Sequence, residues 1–518
     1  MLFEELQIAA VNVRNPESLY KLLVTDLCGE KYFRDFETRL KPQIEAFISI
    51  SSHDGLNYEQ FNELLLLFDQ DRVTRAFFDF FFGSNGPLKL DALPTCIARF
   101  RGFAMLAFGD FRFAYKKLCC LDADGLRQKL GPYSKTTEDL ASEFSSRPVP
   151  ALKIEKIPRS ETWCLGYIAK GVYENEAAAV ASQIKESHSD TALMKQAEVY
   201  QQLGERIKQV EAQGLRNTDV YLTWDYMDVY VATSMRKKWE FEETAEFVSA
   251  LFSHESIRKL RLRYFDPTQS QCAYRIDKGL VEALMLKRAR CTVYMVQESD
   301  TMGKDSELAS TLAQGKPVIA YVPRIDDIEA HAGKLYEYPL DFFKIRFQVL
   351  QAEGVLDDPK LRPELSKIEP DFIKFINEFL QSMALYRQDQ PLSLWSERDK
   401  EFKLNSAPFK SICKLLATAE SFNFNKRSRT LREIHPLSLQ VHLESGVANG
   451  VLVVRSVNDC AEVLSKLLTN SLSFSIEEDA RQGCTILKEK ISQSPFRVVT
   501  NYEKMANSFW NFYLRSGS

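Results

Sequence analysis

Glu307 has the strongest claim to chemistry in this chain. It stands in the first turn or so of a helix expected over residues 304–314, directly after a strand expected over residues 291–296. In an open parallel sheet, ligands sit outside the carboxyl ends of the strands, so a carboxylate there can point back into a cleft. Cleavage of a ribosyl C–N bond builds positive charge at C1′ and the ring oxygen. A carboxylate on the opposite face of the sugar can stabilise that charge or capture the sugar covalently. If the leaving group is the pyridinium of NAD⁺, nicotinamide departs neutral and no general acid is needed. A nucleobase also needs a proton, which Asp300 or Asp305 can supply only if burial raises its pKa. A glutamate early in a helix also favours the macrodipole, so position alone does not make Glu307 a catalyst.

The elements that must position these residues follow from the hydrophobic pattern. From residue 219 onward, apolar β-branched runs alternate with helical segments. Strands are expected at 228–233, 260–265, 291–296 and 317–322, with helices at 240–252, 278–289 and 304–314. That alternation specifies βαβ units and a parallel sheet. The loop after the first strand carries Thr233, Ser234 and Arg236, where hydroxyl and guanidinium groups can hold a phosphate or ribose; the same residues also suit a polar loop with a helix cap. The loop after the second strand begins at Asp266, and the loop after the third runs from Gln297 through Asp300 to Gly303. On the 304–314 helix, Leu308 and Leu312, and likewise Ala309 and Ala313, are spaced to face the sheet, leaving Glu307 on a different face.

The run Gly303-Lys304-Asp305-Ser306-Glu307-Leu308-Ala309, continuing to Gly315-Lys316-Pro317-Val318-Ile319, resembles the nucleoside 2-deoxyribosyltransferase family. That family has an acidic loop, a glycine, then Glu-Leu/Ile-x-x-Ala, and Gly-Lys-Pro-Val-Ile on the following strand. The NAD⁺-cleaving Toll/interleukin-1 receptor domains place a catalytic glutamate on an equivalent helix. The resemblance covers about 100 of the 518 residues. It implies a catalytic role for Glu307, a place for Asp300 and Gly303 in the substrate loop, and sugar-orienting roles for Asp266 and Asp277. A turn aspartate before Pro267 and a helix-start aspartate explain the last two equally well. The pattern departs from the first family at Lys304, where it usually has threonine, and from the second in lacking a tryptophan near the glutamate.

Composition bounds the rest. A chain of 518 residues should hold about three domains at roughly 100–200 residues each, and 45% hydrophobic with 27% charged residues suits a globular protein. A net charge of −4 argues against general nucleic-acid binding. The start lacks a basic segment followed by an apolar core, and no run of about 18 apolar residues occurs, so neither a secretory signal nor a membrane span is expected. Ten scattered cysteines without a C-x-x-C pair indicate neither a disulfide framework nor a zinc site, which suits the cytoplasm. Walker A, G-x-G-x-x-G, G-x-S-x-G and H-E-x-x-H are absent, which removes the commonest kinase, dehydrogenase, serine-hydrolase and zinc-protease readings.

The fold class expected is therefore α/β, with a flavodoxin-like parallel-sheet domain at 217–330. A mainly helical region at 1–155 precedes it, joined by a linker and polar helix at 156–216, and an α+β module at 331–518 follows. The phenylalanines of residues 77–82 are expected in a core helix, and Gly214 at a helix end. Residues 425–432 are expected as a basic loop, 450–455 as a strand and 459–468 as a helix. The resemblance implies an NAD⁺ glycohydrolase with NAD⁺ as substrate and no separate cofactor. In such multidomain chains it further implies an antiphage effector that assembles with itself or an activator. A deoxyribosyltransferase or N-glycosidase, and a nucleotide-sensing module without turnover, remain open.

Overall fold

The computed structural model describes residues 12–498 other than 30–35, 37–39, 52–54, 84–86, 98–99, 102–110, 131–141, 145, 148–151, 167–177, 179–181, 183–190, 298–300, 315, 388–396, 407, 435–439, 442–447, 450, 470 and 480–483. Five strands form one all-parallel sheet: β1 (Met227–Ala232), β2 (Tyr264–Phe265), β3 (Ala289–Met295), β4 (Val318–Tyr321) and β5 (Val451–Val454). Their spatial order is β2-β1-β3-β4-β5, with Val229 opposite Cys291, Val293 opposite Ile319, and Ile319 opposite Leu452. Every residue of β1 and β5 is buried. Such strands read as near-continuous apolar runs because helices cover both sheet faces.

Alternation along β1 decides which helix meets which residue. Val229 and Val231 face α2 (Lys238–Ser253) and α10 (Val457–Leu468), in a core that includes Leu251, Ile319 and Leu464. Tyr230 and Ala232 face the opposite layer, formed by α3 (Arg275–Arg288) and α4 (Met302–Ala313), with Met285, Leu308 and Leu312. The expected strand at 260–265 is regular only over Tyr264–Phe265; Arg261 adopts φ 47°, which breaks the run ahead of it.

The strand expected near residue 450 exists, but it is no separate module. Val451–Val454 pairs in parallel with β4, so the sheet extends past the boundary expected at 330/331. Between β4 and β5 lies a helical insert: α5 (Ile328–Leu335), α6 (Leu340–Ala352), α7 (Arg362–Ile368), α8 (Phe372–Arg387) and α9 (Phe409–Arg429). It has its own core around Leu340, Phe343, Leu365 and Leu416. The basic stretch expected as a loop at 425–432 continues α9 as far as Arg429 and then a wider turn at Thr430–Ile434. After α10 comes an antiparallel three-stranded sheet of β6 (Phe474–Asp479), β7 (Cys484–Glu489) and β8 (Pro495–Val498).

The polar helix packs on the sheet domain. As α1 it spans Thr191–Thr223 and passes straight through Gly214; most of residues 167–190 lie outside the described residues. A Cβ on Gly214 would stand 2.8 Å from both Gln271 Cβ and Leu165 Cδ2, and Gly214 O accepts from Gln271 N at 3.1 Å. The glycine therefore allows close approach and does not end the helix. One turn on, the Asn217 amide donates to Glu155 O and Gln269 O at 2.8 and 2.9 Å. The linker, the helix and the sheet domain are one packed unit here.

The described part of the N-terminal region is mainly helical, and Phe77, Phe78, Phe81 and Phe82 of the helix Arg75–Phe82 are buried in its core as expected. A charged link reaches the sheet from residue 147. Arg147 Nη1 lies 2.7 Å from both carboxylate oxygens of Asp228, which is fully buried in β1 and also accepts from Arg263 N at 2.8 Å. Removing one member of a buried pair strands the other charge, at a cost of about 3–5 kcal/mol. Asp228→Ala is expected to lower unfolding free energy by that amount in urea titrations; a change under about 1 kcal/mol would show that solvent shields the pair.

Candidate functional site

Thr301 caps α4, its hydroxyl accepting from Lys304 N at 3.3 Å. Leu308, Thr311 and Leu312 are buried against the sheet. Ala313 is exposed, and Thr311 takes the place expected for it, bonding to Thr292 at 2.8 Å and donating to Glu307 O at 2.8 Å. This register turns Glu307 over β1 and toward α3.

There the Glu307 carboxyl meets a polar group that belongs to the sheet. The Tyr230 hydroxyl donates to its Oε1 at 3.0 Å, with the Tyr230 ring stacked on Phe265 at 5.3 Å. Oε2 is buried and has no hydrogen-bond partner among the described residues. Burial pushes the Glu307 pKa up to about 8; the neighbouring Glu282 carboxylate raises it further, while the Tyr230 hydrogen bond, Lys278 and Lys304 pull it back. Glu282, on α3, is itself raised by burial and lowered by Lys278, whose Nζ stands 3.7 Å from its Oε1. Two carboxyl groups that both resist ionisation thus lie near each other, one on α3 and one on α4.

Lys304 links this cluster to the loop after β1. Its side chain is buried, its Nζ donates to Met295 O at 3.1 Å, and it stands 4.9 Å from the Tyr294 ring centre. Burial lowers its pKa to about 7, opposed by Asp305, Glu240 and Glu307, with Arg236 lowering it further. The same ammonium therefore feels both Glu307 and the Arg236–Glu240 pair. Asp305, exposed on α4, accepts from the Tyr294 hydroxyl at 2.8 Å.

Thr233 and Ser234 are joined to the end of β3 by Gln297. Its Oε1 accepts from Ser234 N at 2.7 Å and from the Thr233 hydroxyl at 3.0 Å, and its Nε2 donates to Ser234 O at 2.9 Å. Ser234 and Thr301 hydroxyls lie 3.0 Å apart. Arg236 is half exposed, 3.7 Å from Glu240, whose other oxygen accepts from Lys237 N. From the helical insert, the Arg427 guanidinium donates to Gln297 O, so α9 closes over this corner.

The remaining expected residues do not join Glu307. Asp266 is buried, but its carboxylate accepts from Thr268 N and Oγ1 at 2.9 and 2.6 Å and so caps its own short turn. Burial raises it to about 6 against those two hydrogen bonds. Asp277 is exposed in the first turn of α3, and the acid of that helix beside Glu307 is Glu282, further along. Space over Gly303 is open, so no close backbone approach requires a glycine there. Asp300 lies outside the described residues. The sequence reading missed Glu282, Lys304, Tyr230, Gln297 and Arg427. Lys278 and Glu282 look like an ordinary i, i+4 surface pair, and nothing local marks Arg427 as a contact of a loop 130 positions earlier.

Among the described residues no group of three His, Cys, Asp or Glu side chains is placed to hold a metal ion, and no helix is long and apolar enough to cross a membrane. No family model, curated protein or solved structure matches the chain.

A raised carboxyl pKa means that the folded state keeps a proton which the unfolded chain releases. For Glu307 the window runs from about pH 4.5 to about pH 8, and across it this group makes the fold less stable as pH rises. Glu307→Gln removes that titration. The unfolding midpoint of the variant, relative to wild type, is expected to climb through that window and level off above it. Parallel curves for the two proteins would mean that Glu307 ionises as an exposed glutamate does.

Proposed function

We propose that the chain is an N-ribosyl hydrolase acting on NAD⁺, with Glu307 as the carboxylate facing C1′, in a sheet domain of flavodoxin-like arrangement. The observation that carries this reading is the buried Oε2 of Glu307, which has no hydrogen-bond partner among the described residues. An unpaired carboxyl in such a place is costly, and a cationic ligand is the partner that relieves it. The pyridinium ribose of NAD⁺ brings positive charge, favours the ionised carboxylate and lowers its pKa. Breaking the C1′–N bond sends its electron pair to the nicotinamide nitrogen, which leaves neutral. The cation left on C1′ and the ring oxygen is held by the Glu307 carboxylate. Water then adds to C1′ and its proton passes to Glu307 or solvent, giving ADP-ribose, nicotinamide and a proton.

Ser234, Thr301 and Arg236, near the carboxyl ends of β1 and β3, supply the groups for ribose and phosphate. Arg427 on Gln297 offers a route by which movement of the helical insert controls this corner. That control suits an effector held inactive until a second copy or an activator binds. The second reading, hydrolysis or transfer at a nucleobase N-glycosidic bond, is favoured by one observation: Glu282, raised by burial beside Glu307, is an acid able to protonate a departing base.

Nicotinamide release from NAD⁺ by the full chain, followed at high protein concentration, tests the proposal. Glu307→Gln is expected to reduce it by about 10²–10³-fold. In wild type, kcat/KM is expected to rise with pH through about 8, the value of the free site. Glu282→Gln should move that inflection to lower pH, because it removes a like charge. Base release from deoxynucleosides without nicotinamide release selects the second reading. Turnover of NAD⁺ that survives Glu307→Gln eliminates both.

A further inference from the structure

A cleft of about 910 Å³ opens beside the edge strand β2, and none of its lining residues belongs to the Glu307 cluster. One wall is the extended chain around residues 152–157, another the face of α2 that carries Ala245, Val248 and Ser249, and the base is β2 with residues 261–263. Leu152, Ile154, Val248 and Leu262 make much of this surface apolar, and the rings of Tyr221, Trp224 and Tyr226 line one end. Its volume lies in the range of organic-ligand sites, roughly 300–1,000 Å³.

The charges are lopsided. Six cations line the cleft, namely Arg147, Lys153, Lys156, Arg159, Arg261 and Arg263, against two acids, Glu246 and Asp266. Arg147 is paired with Asp228, Arg159 with Glu246 at 2.8 Å, and Arg263 with Asp225 at 3.1 Å. The Arg263 guanidinium also lies 4.1 Å from the Tyr226 ring centre, which fixes a flat cationic surface at the aromatic end. Lys153 and Lys156 are exposed and form no ion pair among the described residues; Lys156 is close enough to act on the Asp266 carboxyl. An apolar trough of this size, with aromatic rings at one end and two uncommitted ammonium groups on its rim, is complementary to an anion that has an apolar body.

We propose that this cleft is a second binding site, for an amphipathic organic anion whose apolar body lies between α2 and the 152–157 segment and whose carboxylate, sulfonate or phosphate meets Lys153 and Lys156. The apolar contacts hold the body, and the lysines select for charge, because an uncharged body of equal size gains nothing from them. An acyl carboxylate and an aromatic phosphate share this chemistry. The site is independent of the reaction proposed for Glu307.

The probe is anilinonaphthalene sulfonate, an aromatic anion whose fluorescence rises in apolar surroundings. Saturable one-to-one binding to the full chain is expected. The double variant Lys153→Glu, Lys156→Glu is expected to weaken it at least tenfold while the chain still unfolds cooperatively, since both side chains are exposed. Ser249→Trp, which fills the trough from α2 and leaves the charges intact, should weaken it similarly. The neutral phenylnaphthylamine, similar in size, should bind the wild type at least tenfold less tightly than the sulfonate. Displacement of the dye by dodecanoate identifies an acyl anion as the better fit, and displacement by adenosine monophosphate an aromatic phosphate; either supports the site. Unchanged dye affinity in both variants, or equal affinity for the neutral dye, overturns the proposal.

Discussion

Parallel pairing of β4 with β5 is the constraint on which the rest of the molecule turns. A parallel neighbour cannot be reached by a tight turn, so the chain must leave the carboxyl end of β4 and return to the opposite edge before starting β5. Here that return takes in the whole helical insert. Because the insert departs from the carboxyl edge, its last long helix, α9, lies against that edge. Arg427 of α9 meets Gln297 after β3, and Arg455 after β5 donates to Val322 O, Pro323 O and the Asn425 side chain at 2.8–3.0 Å. The strand ends, where ligands of such sheets bind, are thus built jointly by the sheet and the insert.

The same edge concentrates groups that water would otherwise stabilise. Glu307, Glu282 and Lys304 are each pulled toward their neutral forms by burial. Their mutual attraction and repulsion then set which of them carries charge near neutrality. Tyr230 anchors one Glu307 oxygen, and the other has no hydrogen-bond partner among the described residues. A site arranged in this way responds strongly to the charge of whatever enters it, because few water molecules remain to screen the change.

The lateral edge of the sheet, along β2, has a different character. Its cations are partly neutralised by Asp225, Asp228 and Glu246 and stacked on aromatic rings, and its trough is wide and apolar. Both edges depend on segments outside the strands themselves: the insert on one side, and on the other the chain around residues 147–157, tied down by Arg147 and by Asn217.

The sequence by itself determined the alternation of strands and helices from residue 227 to 322, the placement of Glu307 on the helix after β3, though in its second turn and not its first, and the burial of Phe77, Phe78, Phe81 and Phe82. These follow from local periodicity, which a chain displays without its partners. Only the tertiary structure decided that Val451–Val454 completes the sheet, that Gly214 serves close packing and not a helix end, and that Glu282 and not Asp277 stands beside Glu307. It also decided that Asp266 caps its own turn and that Arg427 reaches Gln297. The physical reason is the same in each case. Strand pairing, desolvation and charge coupling act between residues far apart in the chain, and an apolar run, a glycine or an i, i+4 ion pair has the same local appearance whatever it will later touch.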